Sequence, residues 1–323
     1  MSDMQYDQLG FPIPKEFDSQ AGRAGGPRSS ARLPAGFDPD EDRSPAPGRW
    51  RRYFLLAVLL LGVVPVLLLP KLLPLVRGQI IEAAVRQAMI DEGRADVDAA
   101  VGQVGWALSW VDGDPALQES LLCWRSTLRL QEGDARGAIA DASAAAVVAP
   151  RSARPLRTRA LAHVVAGDAD GALADAEAAV AIEGDRNPEA LNHRAYVRAL
   201  VGRELDQALA DIDRALEAVG GESPEFLDTR GFILHQLGRQ HEAIDDLNRA
   251  IAGVQRTRRQ IVGEIGGADP AFVAWRLRPV DHALAVMHQH RGLACRAAGL
   301  AAQAEQDLEI AARKGFAPER GVL

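Results

Sequence analysis

The chain has 323 residues and a formal net charge of −7, with 37 basic against 44 acidic residues. That balance disfavours a protein that binds nucleic acid by neutralising phosphates. Two cysteines, Cys123 and Cys295, exclude a disulfide-dense scaffold and a cysteine-ligated zinc site. Aromatic residues make up only 5%, which favours thin, closely stacked helices over a β-sandwich. The scarcity of lysine beside arginine, together with abundant alanine, indicates a GC-rich bacterial genome.

Residues 1–48 form the first segment and carry Gly, Pro, Ser and Asp in no periodic order. Eight acidic and five basic residues lie there, and no apolar stripe is available for burial. A segment of this composition does not bury enough apolar surface to offset the entropy of folding. The sequence therefore predicts a disordered tail over 1–48.

An apolar run follows, with no charged residue from Phe54 to Leu69. Its thirteen Leu, Val and Phe residues favour bilayer insertion by about 4–8 kcal/mol in total, against roughly 3 kcal/mol for one lysine at the bilayer centre. Lys71 lies near one end, where its side chain can reach the interface. We expect a single transmembrane helix over 53–76.

Basic residues near this helix predict its orientation, because cytoplasmic flanks carry more arginine and lysine than flanks on the other side. Four arginines lie within a dozen positions before the run, whereas three are spread over the C-terminal side. We therefore expect a cytoplasmic N-terminus and residues 77–323 outside the cytoplasm. The arginines are Arg43, Arg49, Arg51 and Arg52 on the first side and Arg77, Arg86 and Arg94 on the second.

The rest of the chain is repetitive, with glycines at 133, 167, 202 and 238 at intervals of 34, 35 and 36, and Gly299 after a longer interval of 61. Eight residues before each glycine is an arginine, and eight or nine after it an aspartate. A small residue follows each arginine directly. The five Arg/Asp pairs are Arg125 and Asp141, Arg159 and Asp175, Arg194 and Asp211, Arg230 and Asp246, and Arg291 and Asp307.

This frame predicts an antiparallel helix pair in each repeat, in which the small residue permits close approach and the glycine ends the first helix. The stretch 227–250 resembles the tetratricopeptide repeat (TPR) family, with R-G, then L-G, then A-I-x-D-x-x-x-A. The resemblance covers 118–252 continuously and 284–318 again. It implies an all-α solenoid of stacked helical hairpins and says little about a specific function.

Five clear repeats over 118–323 and a degenerate first repeat over 79–117 complete the predicted organisation. In the first repeat, residues 80–92 would form the leading helix. The long interval before Gly299 predicts helices that run past the repeat as an extended hairpin at about 253–283.

The Arg/Asp pairs allow two interpretations. Each aspartate could hold its arginine within the helix stack and fix the register, or the pairs could form a charged ligand-binding ladder. We favour the structural role.

The resemblance implies that the concave face, formed by the first helices, binds a protein or peptide. We expect the groove at Leu161, Asn192, Tyr196, Phe232 and His235, the aromatic pair lying at its middle. The arginine–asparagine pattern with which some TPR co-chaperones hold a terminal carboxylate is absent.

No catalytic motif occurs, and no cofactor is implied. His282, His288 and His290 are not spaced for shared metal ligation on a helix face, so we expect no metal site. The sequence predicts a membrane-anchored scaffold for protein–protein interaction, neither an enzyme nor a nucleic-acid binder. There are two alternatives: a structural homo-oligomer at the membrane, and an enzyme with its site in the 253–283 insertion.

Overall fold

A computed structural model describes residues 53–54, 58, 64–265 and 267–316, with side chains from residue 73 onward except Ala271. In these residues the chain forms helices and short connections, so the all-α prediction is confirmed. The chain divides into two units, Met1–Val76 and Arg77–Leu323. The helices are α1 Val64–Gly93, α2 Val97–Trp110, α3 Pro115–Gln131, α4 Ala135–Val148, α5 Arg154–Val165, α6 Ala169–Glu183, α7 Pro188–Val201, α8 Leu205–Ala218, α9 Pro224–Gln236, α10 Gln240–Glu264, α11 Pro270–Ala297 and α12 Ala301–Arg313.

Two helices that the sequence predicts separately, the membrane helix and the leading helix of the first repeat, fall on a single helix of the structure. Helix α1 begins at Val64 and continues to Gly93, through Pro65, Pro70 and Pro74. The sequence predicted a boundary near 76–80, which this helix does not have. Among the described residues, no helix combines the length and the apolar character needed to span a bilayer. The tail over 1–48 and most of the predicted span before Val64 lie outside the described residues.

Five helical hairpins follow, as the repeat frame predicts. The pairs are α3 with α4, α5 with α6, α7 with α8, α9 with α10, and α11 with α12. The first helices also pack on one another in order, α3 on α5, α5 on α7, α7 on α9 and α9 on α11. A single row of first helices therefore presents one shared side, and α2 packs on α3 ahead of this row.

Glycine ends the first helix of every repeat. The φ angles are +81° at Gly133, +76° at Gly167, +68° at Gly202, +79° at Gly238 and +79° at Gly299, in the left-handed region that a Cβ disfavours. Asp134 and Asp168 then cap the following helices by accepting the backbone N–H three residues on. The recurring glycine thus fixes where each hairpin turns.

Side-chain size is matched where the two helices of a hairpin cross. In repeat two the small residue Ala160 lies in one buried cluster with Ala176. In repeat four a Cβ on Gly231 would come within 2.7 Å of the Leu247 side chain. A larger residue on the second helix is therefore accommodated by removal of the Cβ on the first.

The long interval before Gly299 corresponds to two longer helices. Helix α10 has 25 residues and α11 has 28, whereas the other helices of the five repeats have 12–17. Their extra turns face each other, and Arg258 Nε donates to Asp281 Oδ1 at 2.9 Å. Lys314 Nζ donates to the same oxygen at 2.7 Å and joins the extension to the end of α12.

Candidate functional site: the first-helix face

The Arg/Asp pairs lie in direct contact in all five repeats. Each arginine donates from Nε and Nη2 to both oxygens of its aspartate, a forked arrangement at 2.6–2.9 Å. The aspartates are buried, from 1% exposed at Asp307 to 6% at Asp175. The hydrogen bond to Asp175 raises the pKa of Arg159, and the bond to Asp211 does the same for Arg194.

A third partner, which we did not predict, connects successive repeats. The Nη1 atom of four of these arginines donates to a polar side chain two residues after the preceding repeat's aspartate. A recurring polar residue at this position in the sequence could have indicated the contact. The pairs are Arg159 with Ser143 (3.2 Å), Arg194 with Glu177 (2.9 Å), Arg230 with Asp213 (3.0 Å) and Arg291 with Asn248 (2.6 Å). These arginines therefore join three helices and have little freedom to bind a ligand.

The first-helix face, which we define by the predicted groove residues Leu161, Asn192, Tyr196, Phe232 and His235, is partly covered. Phe232 stacks on His290 of α11, with ring centroids 4.2 Å apart and planes 15° from parallel. His290 Nδ1 in turn lies 2.9 Å from Asp228 Oδ1. Helix α11 therefore packs against α9 beside Phe232 of this face.

One polar side-chain atom on α7, Asn192 Oδ1, is buried and has no hydrogen-bond partner. The neighbouring His193 ring is also buried, and it contacts the Arg157 backbone carbonyl. Burial, with a further contribution from the Arg157 charge, lowers the pKa of His193 to about 4, although the Arg157 backbone carbonyl opposes the shift. The ring is therefore neutral at physiological pH, and one nitrogen can donate while the other accepts.

The remaining predicted residues have different surroundings. Burial, and secondarily the Asp228 carboxylate, raises the pKa of Tyr196. Leu161 packs against two core clusters and is committed to the stack. His235 Nδ1 lies 2.8 Å from Gln240 Oε1 in its own repeat. Of the predicted set, Asn192 alone offers a buried, unpartnered polar group.

A long-range contact joins the end of this row of helices to its beginning. Arg278, in the extension, donates to the backbone carbonyl of Glu92 and lies 3.3 Å from its carboxylate. It also donates to Gln131 Oε1 of α3 at 2.9 Å. Burial raises the pKa of Glu92, although the Arg278 charge opposes this. No repeat pattern indicated the contact, since the partners are 186 and 147 positions away.

The histidines considered as metal ligands have structural partners instead. His288 Nδ1 lies 2.8 Å from Asp307 Oδ1, beside the bond from Arg291. Within the described residues, no group of three or more His, Cys, Asp or Glu could hold a metal ion. Cys123 and Cys295 are free and buried. Burial raises the pKa of Cys123 to about 11, so this thiol is unreactive at neutral pH.

Comparison with known proteins gives structural likeness only, since no family model and no curated protein matches. TTC0263, a thermophilic TPR protein from Thermus thermophilus, is 22% identical with a TM-score of 0.45, over 54% of this chain and 91% of that one. A tetratricopeptide repeat protein from Parabacteroides merdae is 19% identical with a TM-score of 0.43, over 75% and 95%. BtubC from P. vanneervenii is 20% identical with a TM-score of 0.40, over 75% of this chain and 94% of that one. These scores carry no argument, and the repeat architecture rests on this chain's own helix pairing.

Proposed function

We propose that this protein is a scaffold that binds a protein or peptide segment on its first-helix face, without catalysis. The observation that carries the proposal is Asn192 Oδ1, a buried acceptor without a partner on that face. A buried polar atom without a partner costs about 1–3 kcal/mol, and an incoming backbone N–H would recover that cost. Every non-proline residue of a peptide backbone supplies such a donor.

We further propose that residues 53–76 anchor the scaffold in the membrane, with the N-terminus cytoplasmic and the repeats on the other side. The support is the uncharged run Phe54–Leu69 and the arginines before it. Anchoring would confine the face to the membrane surface and raise its effective concentration toward partners there.

The test is affinity capture with the full chain, comparing the natural sequence with Asn192→Ala. Asn192 Oδ1 makes no hydrogen bond in the free protein, so its loss leaves folding stability unchanged or improved while the bond to a partner is removed. We expect a partner that the natural chain captures and that Asn192→Ala loses.

Gln207→Ala is the matched control, because Gln207 is an exposed amide on α8, the second helix of its repeat. It should retain the partner. Equal recovery by all three chains would contradict binding at this face, and recovery of the protein's own chain alone would favour the structural homo-oligomer.

A further inference from the structure

The middle of α11, from the extension into the fifth repeat, has the amphipathic pattern of a helix that lies on another surface. Leu277, Val280, Leu284 and Met287 recur at intervals of three and four, which places them on one side of the helix. Leu277 is 7% exposed, Leu284 3% and Met287 2%. Val280 is half-buried, so three of the four side chains are withdrawn from solvent.

The surface that receives the stripe includes the row of first helices. Leu284 and Met287 belong to the same buried cluster as Leu191 of α7 and Leu227 of α9, and Val280 packs against that cluster. Phe232 of the first-helix face also packs against it. Val280 and Ala283 of the extension therefore pack on apolar surface that Phe232 of the first-helix face also contacts.

Polar contacts hold the far end of the extension in place. Arg278 reaches Glu92 of α1 and Gln131 of α3, the two helices at the start of the repeat array. The side chains of Arg278 and Glu92 are 32% and 16% exposed, so water screens this ion pair only in part. Burial and the nearby Arg278 charge both lower the pKa of His282, consistent with a dry environment at this place.

We infer that residues 270–284 form a strap that occupies the first-helix face, and that Arg278 is the latch that holds the strap closed. The inference rests on the proposed function and adds its regulation: a partner segment must displace the strap. A partner that presents an amphipathic helix with a similar apolar stripe competes for the same contacts. The apparent affinity is then reduced by the fraction of molecules in which the strap is closed.

Thiol labelling of the full chain tests the strap without any partner. Asn192→Cys places a thiol of similar size at a position of the first-helix face where the side-chain oxygen is buried, and the two native cysteines are buried, 2% exposed at Cys123 and 0% at Cys295. Combining it with Arg278→Ala removes the latch. We expect maleimide to label position 192 about tenfold faster in the double variant than with Arg278 present, as loss of one charged hydrogen-bonding partner implies.

Arg256→Ala is the control for loss of an arginine, since Arg256 is an exposed residue of the extended part of α10. It should leave the labelling rate unchanged. An unchanged rate with Arg278→Ala would overturn the latch. Labelling of Cys295 together with position 192 would show global unfolding, and would also overturn the strap by making Arg278 a general stabilising residue.

The two proposals fail separately. A chain whose strap opens on loss of Arg278 but that captures no partner keeps the strap and loses the scaffold function. A chain that captures its partner equally with and without Arg278, at unchanged labelling rates, keeps the function and loses the strap.

Discussion

Single arginines in this molecule differ in how much they contribute, because their aspartates differ in what else they contact. Asp211 accepts from Arg194 and also from Arg198 Nη1 at 2.6 Å. Asp175 accepts from Arg159, and the other basic side chain near it is His163, whose Nε2 lies 3.7 Å from Asp175 Oδ2. Asp211 therefore has a second arginine that would remain if the first were lost, whereas Asp175 has none.

We predict that Arg159→Ala destabilises the protein more than Arg194→Ala. Loss of Arg159 leaves Asp175 buried without an arginine, which costs roughly 3 kcal/mol, whereas Asp211 keeps Arg198 and the cost is about 1–2 kcal/mol. Urea unfolding of the full chain measures both. Arg203→Ala is the control, because its bond to Asp170 joins exposed side chains and contributes little. Equal losses would show that the second arginine does not support Asp211.

His193 gives the fold a predicted sensitivity to acid. Its pKa is about 4 in the folded protein and 6.5 unfolded, so between these values the unfolded chain binds the proton and the folded chain does not. The contribution of the neutral ring to the free energy of unfolding is complete above pH 6.5. It is lost as the pH falls from 6.5 toward 4, and the loss reaches roughly 3 kcal/mol by about pH 4. Arg157, which lies nearby, adds repulsion to the protonated ring.

Unfolding free energies at about pH 7.5 and about pH 5 measure this effect, with His193→Gln as the comparison. The variant should lose less stability between the two values. Carboxylates act at lower pH. Burial alone would raise the pKa of Asp307, but bonds from Arg291 and His288 lower it, so its contribution disappears only below about 3.8. A His193→Gln chain with the natural pH dependence would exclude His193 as the source.

At the scale of helices, the hairpins show two solutions of one packing problem. Ala160 meets Ala176 in repeat two, whereas Gly231 meets Leu247 in repeat four and Gly292 meets Leu308 in repeat five. Both solutions keep the two helices close, since protein interiors tolerate neither clashes nor voids. The choice in one helix therefore constrains the choice in its partner.

We predict a strong non-additive effect between Gly231→Ala and Leu247→Ala. The first overpacks the crossing at a cost of about 1–3 kcal/mol, and the second opens a cavity at a cost of about 2–5 kcal/mol. Together they recreate the arrangement of repeat two, so the double variant should be more stable than the sum predicts by about 1–3 kcal/mol. Urea unfolding of all four chains gives the coupling.

Gly263→Ala provides the control for the intrinsic effect of alanine, because a Cβ there meets no atom within 4 Å. It should stabilise α10 by up to about 1 kcal/mol. Simple additivity between positions 231 and 247 would refute size matching at the crossing.

How far the sequence predicts these elements depends on whether a feature repeats. The hairpin turns were predictable, because Gly133 and its counterparts recur where a positive φ is needed. The continuity of α1 past Val76 was not, since the membrane span was expected to end there and no repeated feature marks a helix that continues into residues 80–92. Arg278 was not predictable either, because its contact with Glu92 occurs once and joins distant parts of the chain. Asn192 was predicted by position, but its lack of a partner became visible only in the packed structure.

At the scale of the whole molecule, the contact of Arg278 with Glu92 changes how the repeat unit behaves. In an open solenoid each repeat contacts only its neighbours, so the two ends can unfold independently of each other. Here the fifth repeat holds the first, within the unit Arg77–Leu323. Fraying at either end must break a long-range contact as well as local ones.

The proposed membrane orientation is a property of the full chain and leads to the last prediction. Glu217→Cys introduces a thiol on the exposed surface of α8, where the native thiols do not react because both are buried and burial raises their pKa. A membrane-impermeant maleimide should label this variant on intact cells, since residues 77–323 are proposed to lie outside the cytoplasm. Ser30→Cys, in the N-terminal segment, is the matched variant and should react only after lysis. The opposite result for the two positions would reverse the orientation, and recovery of the whole chain in the soluble fraction would remove the anchor.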